Sequence, residues 1–508
     1  MMIALFHSFE LSSLLVTITI LTIAILSFLL YSRHVRKPYP PGPKGWPVLG
    51  CIAMASRLSH HGLAKLAARY GDIVHIRIGF LHVISITGSN LAQQVLQVQD
   101  HIFSNRPANT AVTYLTYARS DLAFAHYNPY WRQMRKLCVT KLFSPRRVES
   151  WDSIRIEVDE MITAVASKAG AAVNIGELVF KLTQSIVYRA AFGSSLPEGQ
   201  DEFIKILQEF SELFGSFNLA DFFPGLGWVD PRGIKSRMRE ARAALDRFID
   251  AVIAEHEVGK KVESCRRDMV DELLSIWSED DKVFEDGNGS KSSFKLTRNN
   301  IKAVIMDVMF GGTETVASGI EWTLSELLRN PQHLKTVQQE LADVVGQDRQ
   351  VEEADFKNLP YLNCCIKEAL RLHPPIPILL HETAVAATVD GYHIPKRSRV
   401  MINVWAISRD ERVWEDPEEF KPERFLKDGA PDFNGRHFEF ITFGSGRRSC
   451  PGMQLGLFAV EMAVARLLHG FSWELPDGMS PEKMDMGDVF GLAATRSRRL
   501  VAVPNPRL

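Results

Sequence analysis

Apolar residues recur at three- and four-residue spacing along most of the chain from about residue 60 onward, which is the periodicity of amphipathic helices. Good examples lie at residues 62–71, 149–170 and 239–261. Short strand-like runs separate such segments, at residues 72–80, 81–87 and 392–405. Because there is no internal repeat and no second linker, the pattern predicts one large, mainly α-helical domain with small β-sheets.

One apolar stretch near the N-terminus differs from the amphipathic segments because residues 11–31 carry no charge. Twenty helical residues span about 30 Å, the thickness of a bilayer core. A cleaved signal peptide is the alternative, but the run is too long, no positive segment precedes it and no cleavage site follows. We therefore expect a transmembrane anchor at 11–31 with a short lumenal N-terminus at 1–10. The positive residues Arg33, Arg36 and Lys37 predict that the rest of the chain faces the cytosol.

Residues 32–50 form a basic, proline-rich segment between the anchor and the remaining chain. Five prolines and three glycines between Lys37 and Gly50 exclude a helix. Proline-rich backbone is extended and semi-rigid, so this hinge is expected to orient the domain at 51–508 against the membrane. A plain linker would explain the composition almost as well.

Charge and cysteine content exclude several classes of protein. The 508 residues are 46% hydrophobic and carry a net charge of −1, so nothing favours a nucleic-acid partner. The six cysteines contain no C-x-x-C pair, which argues against a zinc ribbon or a thioredoxin-type site. Mostly free, buried thiols in a reducing compartment are the simplest interpretation.

A long apolar segment at 300–330 predicts a central helix with two glycines in its middle. Gly311 and Gly312 each cost about 1 kcal/mol relative to alanine, so they need a reason. Close helix packing is one reason. A groove in which a flat ligand lies against the backbone is the other, because Glu314 and Thr315 follow at once and can pass protons.

A second group of charged residues suggests a structural function. Glu368 and Arg371 share one face of a short helix that should stop at Pro374 and Pro375. Arg424 lies farther along, in an irregular proline-bearing segment. If the three cluster inside the domain, breaking the cluster would cost about 3–5 kcal/mol, although Glu-x-x-Arg alone is common by chance.

The most specific motif is "FGSGRRSCPG", residues 443–452. Its glycines permit a tight backbone, and Cys450 falls at the N-terminal end of the following helix, where amide groups favour a thiolate. Arg448 adds positive charge nearby. A thiolate that a metal can approach suits axial ligation of haem iron. A hydrolytic cysteine would need a base that no motif supplies, and a buried structural cysteine needs no glycine frame.

These motifs together resemble the haem-thiolate monooxygenases of the cytochrome P-450 family, in their plant microsomal form. The resemblance covers essentially the whole chain: the anchor, "PPGP", "WRQMRK", "FGGTETVAS", "KEALR", "PERF" and "FGSGRRSCPG" occur in the family's order. It implies the cytochrome P-450 fold, preceded by one N-terminal transmembrane helix. It also implies haem b with an axial thiolate as cofactor.

The resemblance assigns roles residue by residue. Cys450 is similar to the axial ligand, within a haem-binding segment that begins at Phe443. Thr315 and Glu314 match the hydroxyl–acid pair that delivers protons during oxygen activation. Val316 departs from the family, which often has a second hydroxyl there, and is expected to shape the substrate pocket. Glu368, Arg371 and Arg424 resemble the family's core-locking triad, and the residues matched to propionate contacts are Trp131, Arg135, His381 and Arg448.

The family resemblance also implies partners and a location. Dioxygen and NADPH would be consumed, with electrons passing through an NADPH-dependent cytochrome P-450 reductase. Both proteins would lie in the endoplasmic reticulum membrane, this one as a single-pass protein with a cytosolic catalytic domain in contact with lipid. The reductase could dock on a basic group, although a merely solvated basic face is as good an explanation; the group is Lys136, Lys141, Arg146 and Arg147.

Pocket walls are expected from residues 109–124, 214–223, the Gly311 groove, 376–380 and 489–493, which are apolar and aromatic with some Thr, Tyr and Asn. Such walls suit a small flat phenol.

Segments including "LQVQDHIFSNRPA", "HETA" and "DVFGLAAT" resemble the ferulate (coniferaldehyde) 5-hydroxylases. That resemblance implies hydroxylation of coniferaldehyde, coniferyl alcohol or ferulate at the guaiacyl 5-position, towards syringyl lignin and sinapate.

Two alternatives to guaiacyl hydroxylation remain open. One is a flavonoid or other phenolic hydroxylase of the same architecture, which pocket composition does not distinguish. The other is a haem protein that binds or senses without oxidising its ligand. The intact acid and hydroxyl in the groove from Gly312 to Thr315 argue for the use of dioxygen.

Overall fold

The structure, a computed structural model, describes residues 37–107, 109–143, 152–193, 201–216, 218–230, 233–259, 268–278, 284–285, 291–292, 296–491 and 493–507. The expected anchor at 11–31 lies outside the described residues, and so do Arg146, Arg147 and Cys265. Within the described ranges, no helix combines the length and the apolar character needed to cross a bilayer. The five cysteines in these ranges are all free thiols.

The architecture is mainly α-helical, as the periodicity predicts. The helices are α1 His60–Tyr70, α2 Ser89–Gln93, α3 Asp100–Phe103, α4 Thr110–Leu115, α5 Pro129–Leu137, α6 Asp152–Ala166, α7 Ile175–Phe192, α8 Asp201–Gly215, α9 Ile234–Gly259, α10 Met269–Ser278, α11 Arg298–Arg329, α12 Pro331–Val345, α13 Pro360–Leu372, α14 Val404–Ile407 and α15 Met453–Gly470. The three segments with the best helical periodicity correspond to α1, α6 and α9. Helix α13 ends at Leu372, just before the predicted Pro-Pro stop.

The strands are short and form small sheets, again as predicted. They are β1 Ile73–Ile78, β2 Leu81–Ile86, β3 Val173–Asn174, β4 Phe284–Glu285, β5 Lys291–Ser292, β6 Ile378–Glu382, β7 Ala387–Val389, β8 Tyr392–Ile394, β9 Arg399–Asn403, β10 Phe471–Glu474, β11 Asp488–Val489, β12 Thr495–Arg496 and β13 Val501–Pro506. The largest sheet has the order β1-β2-β9-β6, in which only the β2–β9 pair is parallel. The strand-like run at 392–405 is divided into β8 and β9 by a turn with Arg397 at φ 60°.

Helix α11 is the axis of the core. Its 32 residues span about 48 Å. A reciprocal capping box between Thr297 and Asn300 starts it, so the first turn has hydrogen-bond partners for its free amides. The helix packs against α7, α13 and α15, and its residues 300–306 and 317–328 are buried.

The predicted acid–arginine lock is present. Glu368 and Arg371 are both fully buried and joined by two hydrogen bonds, of 2.7 and 2.9 Å. Arg424 reaches the same carboxylate at 3.0 Å. Arg371 also donates to the carbonyls of Ser408 and Pro417, so the cluster ties α13 to the irregular chain that precedes the Cys450 segment.

The described part of the hinge, residues 37–50, is packed on the domain and is therefore more than a plain linker. Tyr39 stacks on the rings of His75 and His82, at centroid distances of 5.0 and 5.7 Å. The amide of His75 donates to the carbonyl of Pro41 at 2.9 Å. A side chain at Gly42 would meet the carbonyl oxygen of His75 at 1.9 Å, which explains a glycine there.

Candidate active site

A cavity of about 1200 Å³ lies in the interior beside α11. All five segments predicted as pocket walls contribute to it, which confirms that part of the sequence interpretation. Walls that the sequence did not indicate come from the segment before α1, from α7 and from β9, because only the fold brings them to the cavity. The side chains that these elements contribute include Ile52, Leu58, Ile186, Val187, Arg399 and Met401.

Cys450 occupies a loop whose shape depends on glycine. Gly444 and Gly446 have φ values of 71° and 66°, a region that residues with a Cβ adopt only with strain. A Cβ at Gly446 would also lie 2.3 Å from the carbonyl oxygen of Leu96. The amide of Cys450 donates to the carbonyl of Phe443 at 2.8 Å and closes the loop. Helix α15 begins at Met453, so the cysteine precedes a helix N-terminus as expected.

Cys450 lines the cavity and is accessible from it, while the surrounding protein desolvates its thiol. Burial raises the pKa of this thiol above its ordinary value, while the amide of Gly452 and the charge of Arg135 act in the opposite direction. The amide and the guanidinium are positioned to stabilise a thiolate, and the desolvated surroundings leave that thiolate in need of a cationic ligand.

A cluster of three arginines and one histidine lines the same cavity. It brings together three of the predicted propionate contacts, Arg135, His381 and Arg448, and adds Arg106, which sequence reasoning missed. Arg106 donates to the carbonyl of Leu380, and Arg135 donates to that of Ser449 at 2.8 Å. The "NRPA" segment containing Arg106 was noticed only as part of a resemblance, because nothing local to it indicates a buried position.

Trp131 reaches the cavity as predicted, but its N–H has a protein partner. The indole Nε1 donates to the carbonyl of Leu122 at 2.9 Å, and the guanidinium of Arg448 lies 4.1 Å from the ring centroid. Arg448 Nη1 donates to the same carbonyl at 3.1 Å. The amide of Leu122 in turn donates to Asp307 on α11 at 2.5 Å. Trp131 therefore supports Arg448 by packing, and α11 positions the loop that both side chains contact.

His381 is buried with one ring nitrogen engaged. Its Nδ1 lies 2.8 Å from the carbonyl of Phe103, which makes Nδ1 the protonated nitrogen of the neutral ring. Burial and the neighbouring charges of Arg106 and Arg448 lower the pKa of His381 well below its ordinary value. Nε2 is the nitrogen left for a group in the cavity.

The cluster fits a cofactor with two carboxylates, as haem has. Burial, and then the charge of a neighbouring arginine, lowers the pKa of Arg106 to about 10 and that of Arg448 to about 8. Within the described ranges, neither these two side chains nor Arg135 forms an ion pair with a carboxylate. Burying several positive charges close together is unfavourable unless an anionic ligand binds between them and compensates their charge. The thiol of Cys450 in the same cavity completes the donor set that a haem requires.

The two glycines of α11 have different functions. A Cβ at Gly312 would approach Val187 to 2.8 Å, so this glycine serves helix packing. A Cβ at Gly311 would meet nothing within 4 Å and would project into open space at the cavity wall. The helix-packing interpretation is therefore right for Gly312, and the open space beside Gly311 is compatible with the groove interpretation. Gly311 is the position that leaves room for a flat ligand.

The predicted hydroxyl–acid pair is split between two environments. Thr315 and Val316 line the cavity, and the Thr315 hydroxyl donates to the carbonyl of Gly311 at 2.5 Å. Glu314 turns away from the cavity towards α8, where its carboxylate accepts a hydrogen bond from Ser211 Oγ at 3.2 Å. Burial raises the pKa of Glu314, which lets the carboxyl hold a proton more readily than an exposed one. Ser211 itself lines the cavity.

The basic group that follows Trp131 is only partly described. Lys136 is exposed on α5, and Lys141 lies in the helical turn that continues it. The Lys141 ammonium lies 3.7 Å from the carboxylate of Glu272. Such a partly exposed pair contributes little to stability, so both lysines remain able to meet an acidic partner.

Comparisons with known proteins agree with this geometry. The cytochrome P450 family profile matches residues 40–501. The chain is 58% identical over 500 residues to cytochrome P450 84A1 of Arabidopsis thaliana, covering 97% of this chain and 96% of that protein. It is 37% identical over 511 residues to a flavonoid 3'-monooxygenase of the same plant, covering 98% of each. A zebra fish cytochrome P450 solved with abiraterone superposes with a TM-score of 0.73 at 25% identity, covering 88% of this chain and 100% of that one. The chain therefore belongs to the cytochrome P450 family of haem-thiolate monooxygenases, whose electrons come from NADPH through a reductase.

Proposed function

We propose that the protein adds a hydroxyl group to the 5-position of guaiacyl phenylpropanoids, namely coniferaldehyde, coniferyl alcohol and ferulate, towards syringyl lignin and sinapate. The observation that carries the proposal is the wall of the cavity. Phe124, Phe214 and Phe222 line it together with the open backbone at Gly311. Flat aromatic ligands pack well against such surfaces, and a single ring with a short side chain is small enough to share the cavity with a haem.

The haem would be held by the thiolate of Cys450 and by the cationic cluster, with Phe443 lining the same cavity. When bound, the haem supplies the activation of dioxygen and the insertion of one oxygen atom into the substrate. The protein supplies position and electrostatics. Arg106, Arg135 and Arg448 would hold the propionates through their N–H groups, and the apolar walls exclude bulk water.

Thr315 lines the cavity, and Glu314 is hydrogen-bonded to the cavity-lining Ser211. Both residues are proposed to move protons during oxygen activation. Because the Thr315 hydroxyl hydrogen is engaged by the carbonyl of Gly311, its oxygen lone pairs remain free to accept a hydrogen bond from a water in the cavity. Glu314 would hold a proton and donate it, since burial raises the pKa of its carboxyl group. Val316 contributes an apolar surface where many family members have a second hydroxyl.

The reductase is proposed to dock on the α5 side of the protein. Lys136 is exposed there and Lys141 lies next to it, while Arg146 and Arg147 fall outside the described residues. The same helix carries Arg135, which lines the cavity, so the docking face is one helix thickness away from the proposed propionate site. A basic face would attract the acidic surface of a partner and raise the association rate at low salt.

Membrane attachment through residues 11–31, with the catalytic domain in the cytosol at the endoplasmic reticulum, is also proposed. An exposed apolar surface beside the hinge supports it. Trp46 is 75% exposed and Phe80 is 70% exposed, and Trp228, in the segment after α8, is 79% exposed. The amide of Phe80 donates to the carbonyl of Phe222 at 3.2 Å, which joins the two parts of this surface. Exposed aromatic side chains of this kind are typical of proteins that touch a bilayer.

A flavonoid hydroxylase is the second candidate, because flavonoid 3'-monooxygenases are among the relatives at 36–38% identity. The deciding experiment is turnover by the membrane-bound protein with NADPH and its reductase. Coniferaldehyde, ferulate, naringenin and a dihydroflavonol are compared at equal concentration. The proposal predicts 5-hydroxylated guaiacyl products with a kcat/KM at least tenfold above that for either flavonoid. Exclusive turnover of the flavonoids would overturn it.

A further inference from the structure

Arg399 is a cation of the cavity wall that the proposed haem chemistry does not use. It begins β9 and lies opposite Glu382 on β6 and Val83 on β2. Its side chain lines the cavity, and its Nε is buried without a hydrogen-bond partner. Over the described part of the chain, the guanidinium forms no hydrogen bond and no ion pair. A guanidinium has five N–H groups to satisfy, so this arrangement is unfavourable unless a ligand brings an acceptor.

The acidic groups nearest to Arg399 do not satisfy it. The charges it experiences are those of Asp221 and Glu382. Asp221 is already occupied, because its Oδ1 accepts hydrogen bonds from the amide and the hydroxyl of Thr110, at 2.8 and 2.7 Å. Glu382 is too far away for an ion pair and is also attracted by Arg119 and by Arg397. Burial lowers the pKa of Arg399, which indicates that the neighbouring acidic groups do not fully compensate its positive charge.

Arg399 is separate from the cationic cluster of the proposed propionate site. Arg106, Arg135 and Arg448 each donate to main-chain carbonyls, and a neighbouring arginine lowers the pKa of Arg106 and of Arg448. None of these cations is among the charges that act on Arg399. Arg399 faces Asp221 in the segment that follows α8, whereas Arg106 donates to Leu380 on the neighbouring strand β6.

The surroundings of Arg399 are otherwise apolar. Alternate residues of a strand point to the same face, so Arg399 and Met401 share a face of β9. The register places Leu380 opposite Met401 and Ile378 opposite Asn403 on the same side of the sheet. Ile378, Leu380 and Met401 all line the cavity. A ligand that lies along this stripe would find one charged group with directed N–H donors at its end.

We propose that Arg399 binds the oxygen at the end of the substrate's three-carbon side chain, whether carboxylate or carbonyl. This inference rests on the proposed function and deepens it, because it names the group that recognises the non-reacting end of the molecule. An arginine can give such an oxygen two parallel hydrogen bonds, which fixes direction as well as position. The guaiacyl ring is then free to lie along the apolar stripe towards Gly311 and Thr315.

The test uses the full-length holoprotein and three ligands with the same guaiacyl ring. Ferulate ends in a carboxylate, coniferaldehyde ends in a carbonyl, and isoeugenol has the three-carbon chain without an oxygen. Dissociation constants are measured from the substrate-induced change in the haem absorption spectrum. Arg399→Met removes the donors and keeps the length of the side chain, and Arg399→Lys keeps the charge. Arg397→Met is the matched control, because Arg397 is exposed in the turn before β9 and does not line the cavity.

The inference predicts that Arg399→Met weakens ferulate binding at least tenfold and coniferaldehyde binding by about two- to tenfold, while isoeugenol changes less than twofold. Arg399→Lys should retain part of the ferulate binding, and Arg397→Met should change none of the three. Equal weakening of all three ligands, or no weakening of any, would overturn the assignment. So would loss of bound haem in Arg399→Met, since that result would place the residue in the propionate site.

The same titration separates this inference from the proposed function. If the wild type binds and hydroxylates guaiacyl ligands and Arg399→Met behaves identically, only the assignment of Arg399 is overturned. Wild-type protein that binds none of the three ligands would overturn the guaiacyl function and, with it, the role of Arg399.

Discussion

Ser211 donates a hydrogen bond to the carboxylate of Glu314 over 3.2 Å, and this bond connects α8 to the central helix α11. Ser211 lines the cavity, whereas Glu314 is not among the lining residues. Ser211 therefore links the cavity to the half-buried carboxylate of Glu314. It also stabilises the charged carboxylate, since this hydrogen bond lowers the Glu314 pKa against the larger effect of burial.

Replacing Ser211 with alanine should change proton delivery more than substrate binding. Without the hydroxyl, the Glu314 pKa rises further, so the acid releases its proton less readily at neutral pH. We expect product formed per NADPH to fall about two- to tenfold, with the pH optimum of this ratio moving upward. Ser216→Ala is the control, because Ser216 lines the same cavity while its hydroxyl donates to the carbonyl of Leu213. Identical coupling in both variants would contradict this role.

Thr315→Ala should uncouple NADPH consumption from hydroxylation. The variant keeps the groove but removes the only hydroxyl that this turn of α11 presents to the cavity, as far as the structure describes it. Product per NADPH should fall at least tenfold, with hydrogen peroxide released in its place. Thr315→Ser keeps the oxygen and should remain close to wild type. Measuring NADPH, peroxide and product together gives the result, and unchanged coupling in the alanine variant would refute the proton-relay role.

Glu368→Gln should lower the stability of the fold and should not act directly on the reaction. The neutral amide leaves Arg371 fully buried without a counter-charge and weakens the bond to Arg424. We expect the free energy of unfolding to fall by about 3–5 kcal/mol, measured by denaturant titration of the holoprotein. Glu418→Gln is the control, since Glu418 is 71% exposed where it pairs with Arg409. A loss of less than 1 kcal/mol at Glu368 would show that the lock contributes little.

Glu461 on α15 predicts a pH dependence of stability. Burial raises its pKa to about 7, although Lys367 lowers it slightly. Because the folded-state pKa lies above the unfolded value, its contribution to stability is fully present below about pH 4.5 and is lost as the pH rises through 7. Glu461→Gln should therefore stabilise the protein by about 3 kcal/mol at pH 8 and by less than about 1 kcal/mol at pH 5. Denaturant midpoints at the two pH values test this, and an equal gain at both would contradict it.

Much of the site could be predicted because its signals are local in sequence. The glycines around Cys450, the acid and hydroxyl after Gly312, and the Glu368–Arg371 spacing each describe one loop or one helical face. Their meaning is contained within a few residues, and the structure brings them to the expected place except for Glu314, which is directed towards α8. The five wall segments were likewise assigned by resemblance to a family whose fold is known.

The missed residues are those that only tertiary structure brings to the cavity. Arg106, Ser211 and Arg399 each meet a residue more than a hundred positions away, namely Leu380, Glu314 and Asp221 respectively. Nothing adjacent to them in sequence indicates burial. Sequence also did not distinguish the packing role of Gly312 from the open position of Gly311, since both depend on what lies across the helix. The orientation of Glu314 away from the cavity has the same origin, because it depends on α8.

The central claim is that Cys450 holds a haem as its thiolate ligand in this cavity. The most direct test is the difference spectrum of the reduced protein with and without carbon monoxide, recorded on membranes that express the wild type or Cys450→Ala. The account predicts a strongly red-shifted Soret band in the wild type that is lost in the variant. The absence of that band in well-expressed wild type supplied with haem, or its persistence in Cys450→Ala, would contradict the account.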